Sequence, residues 1–191
     1  MSLLTPVRHL TVNEYYRLAE TGVLRPGDRV ELLRGEVREL SPIGPRHAQI
    51  VNRLTSTLVK RLPTGLFVQI QNPIRVSNES EPQPDVCIIR GSEDDFDSHH
   101  PSPPDVLLVI AVCDSSLEYD RDEKLPAYAE AGIVEVWLID VLRRTVATYR
   151  QPQGRAYLEQ HVHQGTDAVQ PAAVVEVLLT VDEMLGAAPR P

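Results

Sequence analysis

The chain has 191 residues, of which 42% are hydrophobic and 24% charged. That is enough for one globular domain with a sizeable core, and too apolar for a disordered segment. A net charge of −8 argues against a nucleic-acid coat protein, which needs a broad basic surface, but leaves room for an enzyme whose bound metal supplies positive charge locally.

In chain order, Met1 to Leu10 carries Arg8 and His9 and no signal-type apolar core, so a cytoplasmic protein is expected. No apolar run reaches the roughly 18 residues of a membrane span. Thr11-Val12-Asn13-Glu14 has the form of a capping box and predicts a short helix over 12–20. Residues 29–33 and 36–40 read as a hairpin turning at Arg34-Gly35. From 46 to 62, Ile50, Val51, Leu54, Leu58 and Leu62 recur at three- and four-residue steps, the pattern of an amphipathic helix. A strand interrupted at Pro73 is predicted over 66–76, and another over 85–89. The loop 91–104 is acidic and holds His99 and His100.

Residues 105–113 are apolar without alternation, as expected of a central strand covered on both faces. A helix is predicted over 120–131, stopped by Gly132. Because Pro126 is tolerated only in a first helical turn, the start is placed near 123–125. Strands follow at 133–140 and 145–149, with edge strands at 157–162 and 174–178 and a frayed end over 186–191. The chain, 1–191, reads as a single domain with a core over about 10–150 and an extension over 151–191. The class is α/β or α+β with a mixed sheet. Cys87 and Cys113 lie in apolar runs and read as buried free thiols, neither a disulfide scaffold nor a zinc site.

Of nineteen basic residues only two are lysine, Lys60 and Lys124. Neighbouring strand ends can bring carboxylates close enough to hold a divalent ion, with a lysine beside them for a transferring phosphate. Asp85, opening a strand, and Lys124 fit those roles. Their ordinary readings are a strand-start aspartate and a solvated lysine beside Asp120, Asp122 and Glu123. His47 at a helix start reads as a site residue if neutral, or as a surface or capping residue. Tyr128, one turn beyond Lys124, reads as core. His161 and His163 alternate on a strand edge, where a solvated face outweighs a metal site. No phosphate-cradling glycine loop and no nucleophile elbow is present.

The ordered series Glu31-Leu-Leu-Arg-Gly35-Glu36, His47, Pro84-Asp85-Val86, Leu108 to Ser116 and Lys124 to Asp140 resembles the Uma-type family of restriction-endonuclease-like proteins, in the PD-(D/E)XK nuclease superfamily. The resemblance covers roughly residues 10 to 150. It implies a restriction-endonuclease-like fold, a mixed sheet flanked by helices, and Mg²⁺-dependent hydrolysis of DNA phosphodiesters, with Mn²⁺ as a substitute ion. It implies that Asp85 binds the metal, that Lys124 is the motif lysine moved onto a helix, and that Glu31 and His47 stand near the site.

One position departs from the pattern. The family usually reads Val-Ile-Glu-Val on the central strand, and this chain reads Val109-Ile110-Ala111-Val112. A methyl group cannot bind a metal. Ala111 is a natural degeneration, a substitution introduced to trap a complex, or a position made good by another carboxylate, Asp114 or Glu31. The expectation is an endonuclease with weak or no activity. The competing reading is a non-catalytic nucleic-acid- or protein-binding module that keeps the nuclease fold. Nucleic acid, in the first place DNA, is the expected partner, met in a cleft lined by some of Arg34, Arg38, Arg46, Arg53 and Arg75. A homodimer is compatible with cutting both strands.

Overall fold

The structure, a computed structural model, describes residues 7–186. Helix α1 (Val12–Glu20) starts at the capping box: the Thr11 hydroxyl accepts from the Glu14 backbone and the Glu14 carboxylate accepts from the Thr11 backbone. Strands β1 (Val30–Leu33) and β2 (Glu36–Glu39) form the expected hairpin. Both turn residues take positive φ, Arg34 at 51° and Gly35 at 74°, as tight antiparallel hairpins require. Helix α2 (Pro45–Arg61) buries Ile50, Val51, Leu54 and Leu58.

The main sheet has six strands in the order β3 (Leu66–Ile70), β4 (Val86–Arg90), β5 (Val106–Cys113), β6 (Glu135–Asp140), β7 (Thr145–Gln153) and β8 (Ala156–Gln164). Only β5 and β6 pair in parallel, and the other neighbours are antiparallel. A parallel pair needs a crossover. Here it is a helical stretch: α3 (Leu117–Tyr119), a π-helical turn (Asp120–Lys124) and α4 (Leu125–Glu130). Every residue of β5 is buried. Leu108, Ile110 and Val112 pack with α2. Val109, Ala111 and Cys113 pack on the opposite face with Leu125 and Tyr128.

The structure corrects three expectations. The helix α4 begins at Leu125 with Pro126 in its first turn, as expected, but helical backbone already runs into it from Leu117. In the π turn, the Leu125 N–H reaches back to the Asp120 carbonyl, and the wider turn accommodates Pro126, which has no N–H to give. Lys124 therefore sits in mid-segment, not at a helix N-terminus. Residues 174–178 are not a strand. The short pair β9 (Ala168–Val169) and β10 (Leu179–Thr180) flanks them instead. Thr180 then caps a further helix, α5 (Val181–Leu185), which packs against α2 and has no counterpart among the expected elements. The residues set apart as an extension thus supply β8 and α5 to the body of the fold. The expected frayed end lies, beyond Gly186, outside the described residues.

Candidate active-site cleft

A cleft of about 520 Å³ opens at the end of β5. Asp85, His47, Asp114, Asp120 and Lys124 line it, with Arg29 and Arg38 from the hairpin. Val86 pairs with Ile110 in the β4–β5 ladder. Asp85 immediately precedes β4, and the same register continued by one residue sets it against Ala111. Opposed residues of an antiparallel pair lie about 4.5–5.5 Å apart at Cα and share a face. The Asp85 carboxylate is fixed there: the Val112 N–H donates to Oδ2 at 2.8 Å, and His47 Nε2 lies 2.8 Å from Oδ1. The Gln71 amide approaches Oδ1 at 3.4 Å.

Lys124 is 4% exposed, so it is not the solvated lysine of the ordinary reading. Its ammonium donates to Glu31 Oε2 at 3.0 Å and to the Gln83 carbonyl at 3.3 Å, and lies 3.8 Å from Asp120 Oδ1. Glu31, from β1, is 1% exposed and also accepts from the Gln83 N–H at 2.8 Å and the Tyr119 hydroxyl at 2.9 Å. Asp120 accepts from Ser116 Oγ at 2.6 Å and the Cys113 thiol at 3.4 Å. Hairpin, central strand and crossover helix are thus joined through one buried polar network. Asp85, His47, Glu31 and Lys124, the residues singled out from sequence, meet here.

A family model described as Uma2, "Putative restriction endonuclease", matches residues 12–182. The chain belongs to the Uma2 family. Its fold is that of the crystal structure of a "putative nuclease belonging to DUF820" from Anabaena variabilis ATCC 29413. The two superpose with a TM-score of 0.72 at 16% identity, covering 92% of this chain and 97% of the other. Comparison with curated proteins finds no match.

The Uma2 site of this chain lacks a metal-ligand set. Among the described residues, no three His, Cys, Asp or Glu side chains gather where an ion could sit between them. Glu31 is taken up by Lys124, Tyr119 and Gln83, and position 111 offers a methyl group. Asp114 lines the cleft beside Gly44, at the start of α2. With no three donors gathered in this way, the residues present do not fit a divalent cation held by the protein alone.

The electrostatics follow from burial and pairing. Burial pulls the Lys124 ammonium down, but Glu31, Asp120 and Asp85 outweigh it and hold its pKa above the lysine range. Burial pushes the Asp120 carboxyl up, only partly offset by Lys124, Ser116 and Cys113. The hydrogen bond to Asp85 raises the His47 pKa against its own burial, helped by the charges of Asp85 and Asp114.

Of the arginines named from sequence, only Arg38 lines this cleft, together with Arg29, which was not named. Arg34 faces a second cavity, Arg46 and Arg53 a third, and Arg75 bonds Asn78. Sequence reasoning also missed Tyr119, Gln83 and the part played by Asp120. The i, i+4 spacing of Asp120 and Lys124 was a usable signal for the last. Cys87 and Cys113 are buried free thiols, as expected.

Proposed function

We propose that this chain is a nuclease-fold protein that receives the phosphodiester backbone of nucleic acid, in the first place DNA, at the Asp85–Lys124 cleft, and that its hydrolytic step is disabled at position 111. The observation that carries this reading is the cleft itself: Asp85, His47 and Lys124 line it together, and the β4–β5 register, continued one residue beyond Val86–Ile110, sets Ala111 against Asp85. Asp85 keeps a fixed carboxylate, and Lys124 keeps an ammonium able to offset phosphate charge. Three carboxylates, Glu31, Asp120 and Asp85, surround that one ammonium. A glutamate at 111 would add a carboxylate beside Asp85 and with it affinity for a divalent ion such as Mg²⁺ or Mn²⁺.

Ala111 itself favours a second reading, a non-catalytic module for nucleic acid or protein that retains the fold. Plasmid DNA with Mg²⁺ or Mn²⁺, incubated with the chain and with Ala111→Glu, separates the two. Cleavage only by Ala111→Glu supports the disabled nuclease. Robust cleavage by the unaltered chain contradicts it. No cleavage by either favours the binding module.

A further inference from the structure

Strand β8 ends the six-strand sheet, and among the described residues nothing pairs with its outer side. The chain beyond it turns back across the sheet: the Gln170 carbonyl accepts from Arg150 on β7, and the Ala172 N–H donates to Glu135 on β6. An open edge presents a row of unpaired N–H and C=O groups, which proteins blunt by keeping the strand short or by placing Lys or Pro on it. β8 does neither. It is nine residues long, keeps one register with β7 from end to end, and holds no lysine, arginine or proline. Leu158 and Val162, on the same face of the strand, are 63% and 61% exposed.

The strand is also complementary to itself. Two copies that extend one sheet edge to edge are related by a two-fold axis normal to the sheet, which keeps each face on its own side. Opposed residues then come from the same face. With the axis at Gln160, Leu158 meets Val162 of the second copy, and Val162 meets its Leu158. On the other face Glu159 and His161 meet in the same reciprocal way. Apolar with apolar and carboxylate with imidazole are pairs that stabilise neighbouring strands. Moving the axis to Glu159 or to His161 sets that residue against its own twin and parts Leu158 from Val162.

We propose that this chain forms a homodimer by antiparallel pairing of β8 with β8 of a second copy about Gln160, joining the two six-strand sheets into one. The axis reverses strand direction, so the two clefts, each at the end of its β5, open at opposite ends of the joined sheet. Seven strand spacings, about 34 Å, separate the two β5 strands. This pairing does not bring both clefts to one base step of a duplex.

Analytical ultracentrifugation across a dilution series tests it, with disulfide trapping as the second readout. The unaltered chain should sediment as a dimer that dissociates on dilution. Leu158→Lys/Val162→Lys sets lysine against lysine twice and should weaken the dimer at least about 100-fold. Both positions are exposed, so the fold itself should be unaffected. Gln160 lies on the axis, so Gln160→Cys brings two thiols together on Cα atoms about 4.5–5.5 Å apart, within reach of a disulfide. Mild oxidation should link Gln160→Cys into a covalent dimer and leave Ala156→Cys, which would face Gln164 of the second copy, unlinked. Cys87 and Cys113 are buried and stay out of the reaction. A chain that stays monomeric at the highest concentration reached, a dimer that survives Leu158→Lys/Val162→Lys, or equal linking of Gln160→Cys and Ala156→Cys would each overturn the proposal. No readout involves cleavage or a metal, so the result is independent of the reading of the cleft.

Discussion

Replacing Lys124 by methionine keeps the bulk of the side chain and removes the one ammonium in the buried network. At an effective dielectric of about 20, the 3.0 Å contact with Glu31 corresponds to roughly 5 kcal/mol of attraction, and the 3.8 Å approach to Asp120 to about 4 kcal/mol. Desolvation of the buried charges cancels much of this, so the pairs are not worth those sums. Removing one partner is a different matter, because the other charge stays behind. Glu31, 1% exposed, would keep only the Tyr119 hydroxyl and the Gln83 N–H. The expected cost of Lys124→Met is about 3–5 kcal/mol. At about 2–4 °C per kcal/mol for a chain of this size, the melting temperature falls by roughly 6–20 °C. Urea unfolding at neutral pH measures the free energy directly. The loss should shrink as pH falls, because Asp120, already pushed up by burial, takes a proton and relieves one bare charge. Adding Glu31→Leu to Lys124→Met should recover part of the loss. A cost below about 1 kcal/mol, the value of an exposed pair, would refute the buried network.

His47 should titrate above its ordinary value of 6.5, and Asp85→Asn should bring the midpoint down, as followed by proton NMR of the imidazole. A raised folded pKa stabilises the fold fully below 6.5, and that contribution is lost as pH rises through the folded value. Gly35→Ala should cost more than about 1 kcal/mol by urea unfolding, because φ is 74° and a Cβ would overlap the Cβ of His9. Cys87 and Cys113 should react with a thiol reagent only on unfolding, since burial raises both thiols and shields them.

The legible parts of the fold were those written in local chemistry. Thr11 and Glu14 announce α1, Arg34-Gly35 marks the hairpin, and the spacing of Ile50, Val51, Leu54 and Leu58 places α2. Pro126 does mark the first turn of α4, but it gave no sign of the helical backbone that runs into α4 from Leu117. The two are joined by a π turn, and nothing local to residues 120–124 announces one. Residues 174–178 misled because Val174 and Val177 are buried without pairing in a ladder. Short apolar runs do not distinguish these cases.

At the site, Asp85 and Lys124 were legible through resemblance and residue type. Their environment was not. Gln83, Tyr119 and Glu31 come from three separate stretches of the chain, and only the folded topology brings them to one ammonium. The arginines were read from charge alone, and four of the five lie away from the cleft: Arg34 in the hairpin turn, Arg46 and Arg53 on α2 beside another cavity, and Arg75 in the loop after β3, bonded to Asn78.

Whether position 111 is the missing partner of Asp85 can be read from metal binding alone. Mn²⁺ is titrated calorimetrically into the unaltered chain, Ala111→Glu and Ala111→Glu/Asp85→Asn. Weak or no saturable binding is expected of the first, at least about tenfold tighter binding of the second, and loss of that gain in the third. Binding by the unaltered chain as tight as that of Ala111→Glu, or a gain that survives Asp85→Asn, would contradict the pairing of these two positions.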